Sequence, residues 1–162
     1  MFITLQNDLS ICLLLIFMCQ YIISGVISAS IIGTISFIIM HMNNRYQRKT
    51  YLDNNLFSIQ KMSFEHVFLE DDNFTKNWPS IKKENIDREK ILMYDVYCEM
   101  IFNFAQHLSK YYRFNSKKIN SDVNLKDWLR THKSWWDEPI VEHSNIDTYE
   151  KKFKILLDEY FR

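Results

Sequence analysis

The sequence predicts an all-α protein, with one N-terminal transmembrane helix followed by a small cytoplasmic helical bundle of about four helices. The first observation is that residues 9–40 carry no formal charge, while every Lys and Arg lies at or beyond Arg45 and only Asp8 among the acidic residues precedes it. The second is that Gly25 and Gly33 are the only glycines, so the chain beyond the apolar segment has none. Hairpins that depend on glycine are hard to build there, which favours helices joined by Asn, Asp and Ser loops.

The apolar segment is long enough for one membrane crossing. A hydrocarbon core about 30 Å thick needs about 20 apolar residues, and two crossings with a turn need more than residues 9–40 offer. Only Ser24-Gly25 hints at a break, so a kinked or re-entrant segment is the alternative to one long tilted helix. A cleavable signal peptide would need a basic start and an apolar core of only about 7 to 15 residues. We therefore predict a short N-terminal segment, residues 1–12, and a transmembrane helix over residues 13–40.

Basic residues on one flank of this segment predict its orientation. Arg45, Arg48 and Lys49 follow it closely, and no Lys or Arg precedes it. Because basic flanks stay on the cytoplasmic side, we expect a single-pass protein of the cell inner membrane with its N-terminus outside and its C-terminal domain in the cytoplasm. The lone Cys98 of the soluble part fits a reducing compartment.

Small residues recur along one face of the predicted transmembrane helix. Gly25, Ala29 and Gly33 follow one another at intervals of four. This spacing lets two helix backbones approach closely, as in the small-xxx-small pattern of transmembrane helix dimers. It predicts self-association of the membrane helix, and the alternative is ordinary enrichment of small residues in a membrane segment.

The clearest soluble element is a central helix over residues 86–114, capped by Asn85 or Asp87. Its apolar residues alternate steps of three and four, which indicates a buried helical seam. The seam consists of Ile91, Tyr94, Cys98, Ile101, Ala105, Leu108 and Tyr112.

Three further helical stretches complete the predicted soluble part. The first is a juxtamembrane helical arm over residues 41–80, which we expect to bend near residues 61–63. The other two belong, with the central helix, to a helical bundle over residues 81–162. Within the bundle, residues 124–136 form a helix that ends before Pro139. A last helix starts at Ser144 with a capping-box-like pattern.

Adjacent tryptophans stand out at Trp135 and Trp136 because exposing tryptophan to water is costly and two neighbours cannot both face one core. One of them is a candidate surface anchor for a partner or for the membrane interface. The alternative is that Trp136 packs inside while Trp135 covers a neighbouring loop.

No motif points to catalysis, a metal or a cofactor. The histidines form no H-x-x-x-H pair and no C-x-x-C is present, and the Glu70-Asp71-Asp72 cluster lacks the ligand pattern and glycine of an EF-hand. Cys98 and His107 lie on one predicted helix about 13 Å apart along its axis, too far for a dyad. For His132 and the other soluble histidines the expected role is a surface or hydrogen-bonded side chain. We predict that the protein is not an enzyme.

The order of elements resembles a loose group of bacterial membrane-anchored domains of unknown function. The resemblance covers nearly the whole chain and is carried by aromatic positions, which are Phe74 to Trp78, Tyr94 to Tyr112, Trp128 to Trp136 and Tyr149 to Tyr160, after the membrane helix. It implies a membrane-anchored helical fold and carries over no catalytic residue.

The charge balance narrows the class of partner. From Arg45 onward the chain has twenty basic residues and, once Asp8 is set aside, nineteen acidic ones, so no net field attracts nucleic acid. We expect a membrane-tethered protein-interaction module, self-associating and without catalytic activity, that binds an unknown cytoplasmic protein. The rival interpretation is a small toxin-like membrane effector whose segment oligomerises and perturbs the bilayer.

Overall fold

The computed structural model describes residues 2–85, 87–141 and 148–162, with side chains from residue 18 onward within those ranges. All regular structure in these ranges is helical, which confirms the all-α prediction. The chain divides into two compact units, residues 1–47 and residues 48–162.

The first helix, α1, spans Phe2–Glu65 without interruption. One part of it, Met18–Glu65, is long and apolar enough to span a membrane. Neither the break considered at Ser24-Gly25 nor the bend expected near residues 61–63 interrupts its helical hydrogen bonding. The sequence between these points offers no proline, which removes the most effective helix breaker, and the Ser24-Gly25 pair does not interrupt the helix by itself.

Hydroxyl side chains in the apolar part of α1 bond to the helix itself. Ser24 Oγ donates to the Tyr21 carbonyl at 2.9 Å, and Ser30 Oγ donates to the Val26 carbonyl at 2.8 Å. Thr34 Oγ1 donates in the same way to the carbonyl of Ser30 at 2.8 Å. These bonds satisfy the hydroxyls locally, so the segment keeps an apolar exterior.

The remaining elements of residues 48–162 are mostly short. After the end of α1 a 3₁₀ turn precedes a series of helices in the described residues. They are the 3₁₀ turn Val67–Glu70, α2 Asp72–Lys76, α3 Trp78–Glu84, α4 Arg88–Tyr111, α5 Ser116–Asp122, α6 Leu125–Thr131, α7 Lys133–Asp137 and α8 Lys151–Phe161.

Helix α4 supplies the largest share of one hydrophobic core. The predicted seam from Ile91 to Leu108 is buried, and α8 adds Phe153 and Leu157. The region expected to be a separate arm also belongs to this core, because Leu52 and Trp78 lie in the same cluster as the seam. The described residues from 48 onward are therefore organised around α4.

Capping interactions determine where α4 begins and ends. Asp87 accepts from the Lys90 amide at 3.2 Å, as expected for one of the two candidate caps. The helix ends at Tyr111, three residues earlier than predicted, because Arg113 and Phe114 adopt left-handed φ angles of 54° and 58°. The Phe114 amide then donates back to the Ser109 carbonyl at 2.7 Å, which satisfies a terminal carbonyl without glycine.

Two other predicted helices differ from the structure. The helix predicted over residues 124–136 is divided at His132 into α6 and α7. The final helix has its described turns at Lys151–Phe161, and the start predicted at Ser144 lies outside the described residues.

Candidate functional site

Three features are candidates for function: the small-residue face of α1, the tryptophan pair, and a buried polar cluster around His132. Gly25, Ala29 and Gly33 are all exposed. A Cβ placed on either glycine meets no atom within 4 Å. Among the described residues no packing contact requires the glycines, and their surface is open to another helix.

The tryptophan pair packs in the opposite order to the one considered from the sequence. Trp135 is fully buried, stacks on Phe102 with ring centroids 5.3 Å apart, and donates from Nε1 to Asp95 Oδ1 at 2.7 Å. Trp136 is half-buried and also stacks on Phe102, with ring centroids 4.9 Å apart. Trp135 as a partner-binding surface is therefore wrong, because its ring and its only polar atom are both used within the chain.

His132 forms the centre of a polar cluster in the core. Its side chain is fully buried, and the Tyr94 hydroxyl lies 3.0 Å from Nδ1. Burial raises the pKa of Tyr94 far above its usual range, so the phenol stays protonated and donates to Nδ1. The ring proton of a neutral imidazole then belongs on Nε2.

The other ring nitrogen faces a carboxylate. His132 Nε2 lies 3.4 Å from Glu70 Oε1 but makes no regular hydrogen bond. The same oxygen accepts hydrogen bonds from the Tyr97 hydroxyl and from Trp128 Nε1, the latter at 2.9 Å. The cluster thus joins the 3₁₀ turn, α4, α6 and the junction between α6 and α7.

Opposing effects act on the acidity of Glu70. Partial burial opposes ionisation, but the interactions with His132 and the donors on Tyr97 and Trp128 outweigh it and lower the pKa of Glu70. The carboxylate is therefore held in its charged form, in which it accepts hydrogen bonds from Tyr97 and Trp128.

Cys98 gives this cluster the residue types of a thiol catalytic site. Its Sγ lies 3.8 Å from His132 Nδ1, and Glu70 lies on the far side of the ring. However, Cys98 is fully buried, and burial raises the pKa of its thiol well above the usual value. A nucleophilic cysteine needs a thiolate that substrate can reach. The arrangement favours a structural hydrogen-bond network over nucleophilic chemistry.

Cys98, His132 and Glu70 are not arranged to bind a metal ion. Cys98 and Glu70 approach opposite nitrogens of the His132 ring, so their ligand atoms do not surround one point. Within the described ranges no group of three His, Cys, Asp or Glu side chains is placed to hold a metal ion.

A half-open cavity of about 370 Å³ lies between the last turns of α1 and helix α4. Its lining brings His107 within 5.8 Å of the Tyr51 ring, beside Asn55 and Asn103. The lining contains no carboxylate or thiol that could act with the imidazole. The lining therefore supplies no carboxylate–imidazole or thiol–imidazole pair at this place.

We expect the contribution of Glu70 to stability to depend on pH. Glu70→Gln should lower the free energy of unfolding by about 1 kcal/mol at neutral pH, because charge-assisted hydrogen bonds become neutral ones. The pKa of Glu70 is lower in the folded chain than its usual 4.5, so the stabilisation is complete above pH 4.5 and is lost as pH falls through the folded-state pKa. Thermal unfolding of the full chain in detergent micelles, followed by near-UV circular dichroism, measures this.

Glu84→Gln is the matched control, since it makes the same chemical change on an exposed carboxyl. The difference in the free energy of unfolding between wild type and Glu70→Gln should shrink below pH 4.5. The free energy of unfolding of Glu84→Gln should equal that of wild type at every pH. A difference for Glu70→Gln that is the same at acid and neutral pH would contradict this assignment.

Sequence reasoning missed the convergence on His132. Tyr94 and Cys98 were placed on one seam by their spacing, but Glu70 and His132 come from separate parts of the chain. The neighbours of His132 in the sequence, Thr131 and Lys133, are polar and gave no signal that its ring is buried.

Comparison with known proteins adds no relative: no family model, no curated protein and no solved structure matches this chain.

Proposed function

We propose that this chain is a single-pass, membrane-tethered protein-interaction module that self-associates and has no catalytic activity. The observation that carries the proposal is the exposure of every described side chain from residue 18 to residue 40, most of them large and apolar. Apolar surface on this scale is unfavourable in water at about 25 cal/mol per Å². At 1.5 Å per residue the stretch extends roughly 35 Å, which matches a hydrocarbon core of about 30 Å with some tilt.

Orientation follows from charge. Arg45, Arg48 and Lys49 come directly after the apolar stretch and support a cytoplasmic location for residues 48–162. We propose an inner membrane with the N-terminus outside. A cytoplasmic protein partner is part of this proposal, and exposed apolar side chains such as Val67 support it.

Self-association is supported by the open face at Gly25, Ala29 and Gly33. In lipid, helices associate through close packing of small residues, because the surrounding tails are as apolar as the side chains. The open space over both glycines allows a second backbone to approach.

The absence of catalysis is supported by the state of Cys98, whose thiol is buried and protonated. The effector alternative would be helped by a polar stripe for a water-filled pore. Ser30 and Thr34 instead donate to carbonyls of their own helix, which favours a lipid-facing or helix-facing role.

Enlarging the small-residue face should weaken self-association. We expect the double substitution Gly25→Ile and Gly33→Ile to lower the association constant about tenfold or more, because the added side chains hold the two backbones apart. The packing of the described residues is undisturbed, since a Cβ at either position meets none of their atoms within 4 Å beyond the adjoining helix backbone. Energy transfer between donor- and acceptor-labelled full chains in lipid vesicles measures the dimer fraction.

Ser24→Ile is the matched control, because it adds a side chain of the same size about 100° around the helix. It should leave the dimer fraction close to that of wild type. If the double glycine variant associates as strongly as wild type, the small-residue face is not the interface.

A further inference from the structure

Three parts of the unit formed by residues 48–162 meet at one end of it. Lys49 Nζ lies 2.9 Å from Asp122 Oδ2, which joins the start of this unit to the last residue of α5. The Tyr51 ring lies 5.8 Å from the ring of His107, near the end of α4. The first residues of the unit, the end of α4 and helix α5 therefore lie side by side.

Positive charge accumulates at this end. Lys49 pairs with Asp53 at 3.2 Å as well as with Asp122, and Lys110 pairs with Glu150 at 2.7 Å, so these carboxylates are neutralised. Other basic side chains at this end are exposed and form no ion pair within the described residues. They are Arg48, Arg113, Lys117 and Lys118, which we call the basic surface.

The opposite end of α4 has mixed charges. The Trp78 ring lies 4.9 Å from that of Tyr94, so α3 packs beside the first half of α4. Exposed side chains of both signs alternate along the chain there, at Lys83, Glu84, Arg88 and Glu89. Because α4 has 24 residues, its two ends are about 35 Å apart, well beyond the screening length of about 8 to 10 Å. The two ends therefore present different electrostatic surfaces.

We infer that the basic surface docks on the anionic headgroups of the bilayer in which the chain is anchored. The inference rests on the proposed membrane tether and adds a second contact to it. Arg48 follows Met40, where the predicted transmembrane helix ends, by eight positions. Even when fully extended, this connection spans no more than about 30 Å. Since Lys49 is joined to α5, the basic surface stays within reach of the headgroups.

Tethering favours a lipid surface over a soluble anionic partner. Each Lys or Arg near an anionic membrane increases affinity about fivefold, so a few such residues give only weak binding from solution. A short connection to the membrane makes the same contact intramolecular, with an effective concentration in the millimolar range. A nucleic acid or an acidic protein in solution has no such advantage, and the bilayer is the partner that these charges fit.

Fluorescence quenching in vesicles tests the docking. In the full chain with Cys12→Ala and Cys19→Ala, a fluorescent label on Ser121→Cys reports on α5, because Ser121 is exposed and lies one turn after Lys117 and Lys118. A fixed fraction of lipid with a spin-labelled headgroup quenches the label at short range. Quenching should be about fivefold stronger in vesicles with about a third phosphatidylserine than in phosphatidylcholine alone. Raising the salt to about 0.5 M should remove the difference.

Charge reversal identifies the residues responsible. Lys117→Glu with Lys118→Glu should reduce quenching in anionic vesicles to the level of neutral ones, and the Gln pair should give an intermediate loss. Acidic residues are favourable in the first turn of a helix, so α5 is retained. Lys83→Glu with Arg88→Glu is the matched control, since it changes net charge equally at the other end of α4 and should leave quenching unchanged.

A second label position checks the location of the contact. The label on Ser80→Cys, an exposed site on α3, should be quenched equally in neutral and anionic vesicles. Equal loss of quenching in the two charge-reversal variants overturns the inference, because net charge alone then explains it. Quenching that does not respond to salt also overturns it.

The outcomes for wild type separate this inference from the proposed function. If the chain resists alkaline carbonate extraction but its Ser121→Cys label is quenched equally in both kinds of vesicle, the inference fails and the tether stands. If carbonate extracts the chain, both fail. If a DNA duplex added at the same ionic strength abolishes the quenching in anionic vesicles, the basic surface binds nucleic acid in preference to lipid, which also overturns the inference.

Discussion

Replacing Ile27 and Ile31 with Arg should prevent the chain from inserting into a membrane. Both isoleucines are exposed and lie near the middle of the apolar stretch. An Arg at the centre of a transmembrane helix costs about 2.5 to 3.5 kcal/mol, so two cost roughly 5 to 7 kcal/mol. The fraction of protein that resists alkaline carbonate extraction from membranes should fall from nearly all to nearly none.

The positions are chosen to avoid the proposed dimer face. Ile27 and Ile31 are separated by four residues and lie away from the helix face of Gly25 and Ala29, so insertion is tested without altering the helix contact directly. Ile27→Leu with Ile31→Leu is the control and should remain fully in the membrane. If the Arg variant stays resistant to extraction, the apolar stretch of α1 is not embedded in lipid, and the tethering proposal fails with it.

Predictions from the sequence succeeded where one periodic pattern decided the structure. The three-and-four spacing from Ile91 to Leu108 predicted a buried helical seam, and those residues are buried in α4. The long charge-free run predicted an uninterrupted helix, and α1 is continuous through it. In both cases each residue depends mainly on neighbours within one or two turns, which is the information that a local pattern contains.

Predictions failed where a distant contact decided the structure. The helix predicted over residues 124–136 is divided at His132, whose ring is held by Tyr94 and faces Glu70. Local propensity favours continuing the helix through this point, but turning the chain there brings the ring into the core. Nothing near His132 in the sequence indicates partners that lie 34 positions away or more.

The adjacent tryptophans illustrate the same limit at a single site. The sequence predicted that two adjacent tryptophans cannot both face one core, but Trp135 and Trp136 both stack on Phe102 and Trp136 packs against the same core. The two differ in depth, and the deeper Trp135 donates its Nε1 proton to Asp95. Both partners lie on α4, so the sequence around residue 135 could not decide the question.

We expect Trp135→Ala to be the most destabilising single substitution among those discussed, lowering the free energy of unfolding by about 3 to 5 kcal/mol. The indole is fully buried, and its removal leaves a cavity beside Phe102. It also removes the donor that lies 2.7 Å from Asp95 Oδ1, so a partly buried carboxylate loses its hydrogen bond. The free energy of unfolding of a small domain is only about 5 to 15 kcal/mol in total, so this loss is a large part of it.

Two further variants separate the causes of this loss. Trp135→Phe keeps an aromatic ring near Phe102 but removes the Nε1 donor. It should therefore lower the free energy of unfolding less than Trp135→Ala does, and more than a substitution on the surface does. Ile155→Ala, at an exposed position on α8, is the control and should change stability by no more than about 0.5 kcal/mol. Denaturant unfolding of the full chain in detergent, followed by tryptophan fluorescence and far-UV circular dichroism, gives all three values. If Trp135→Ala unfolds like wild type but no longer binds a cytoplasmic partner, Trp135 acts at the surface after all, because a buried ring cannot be removed without a loss of packing.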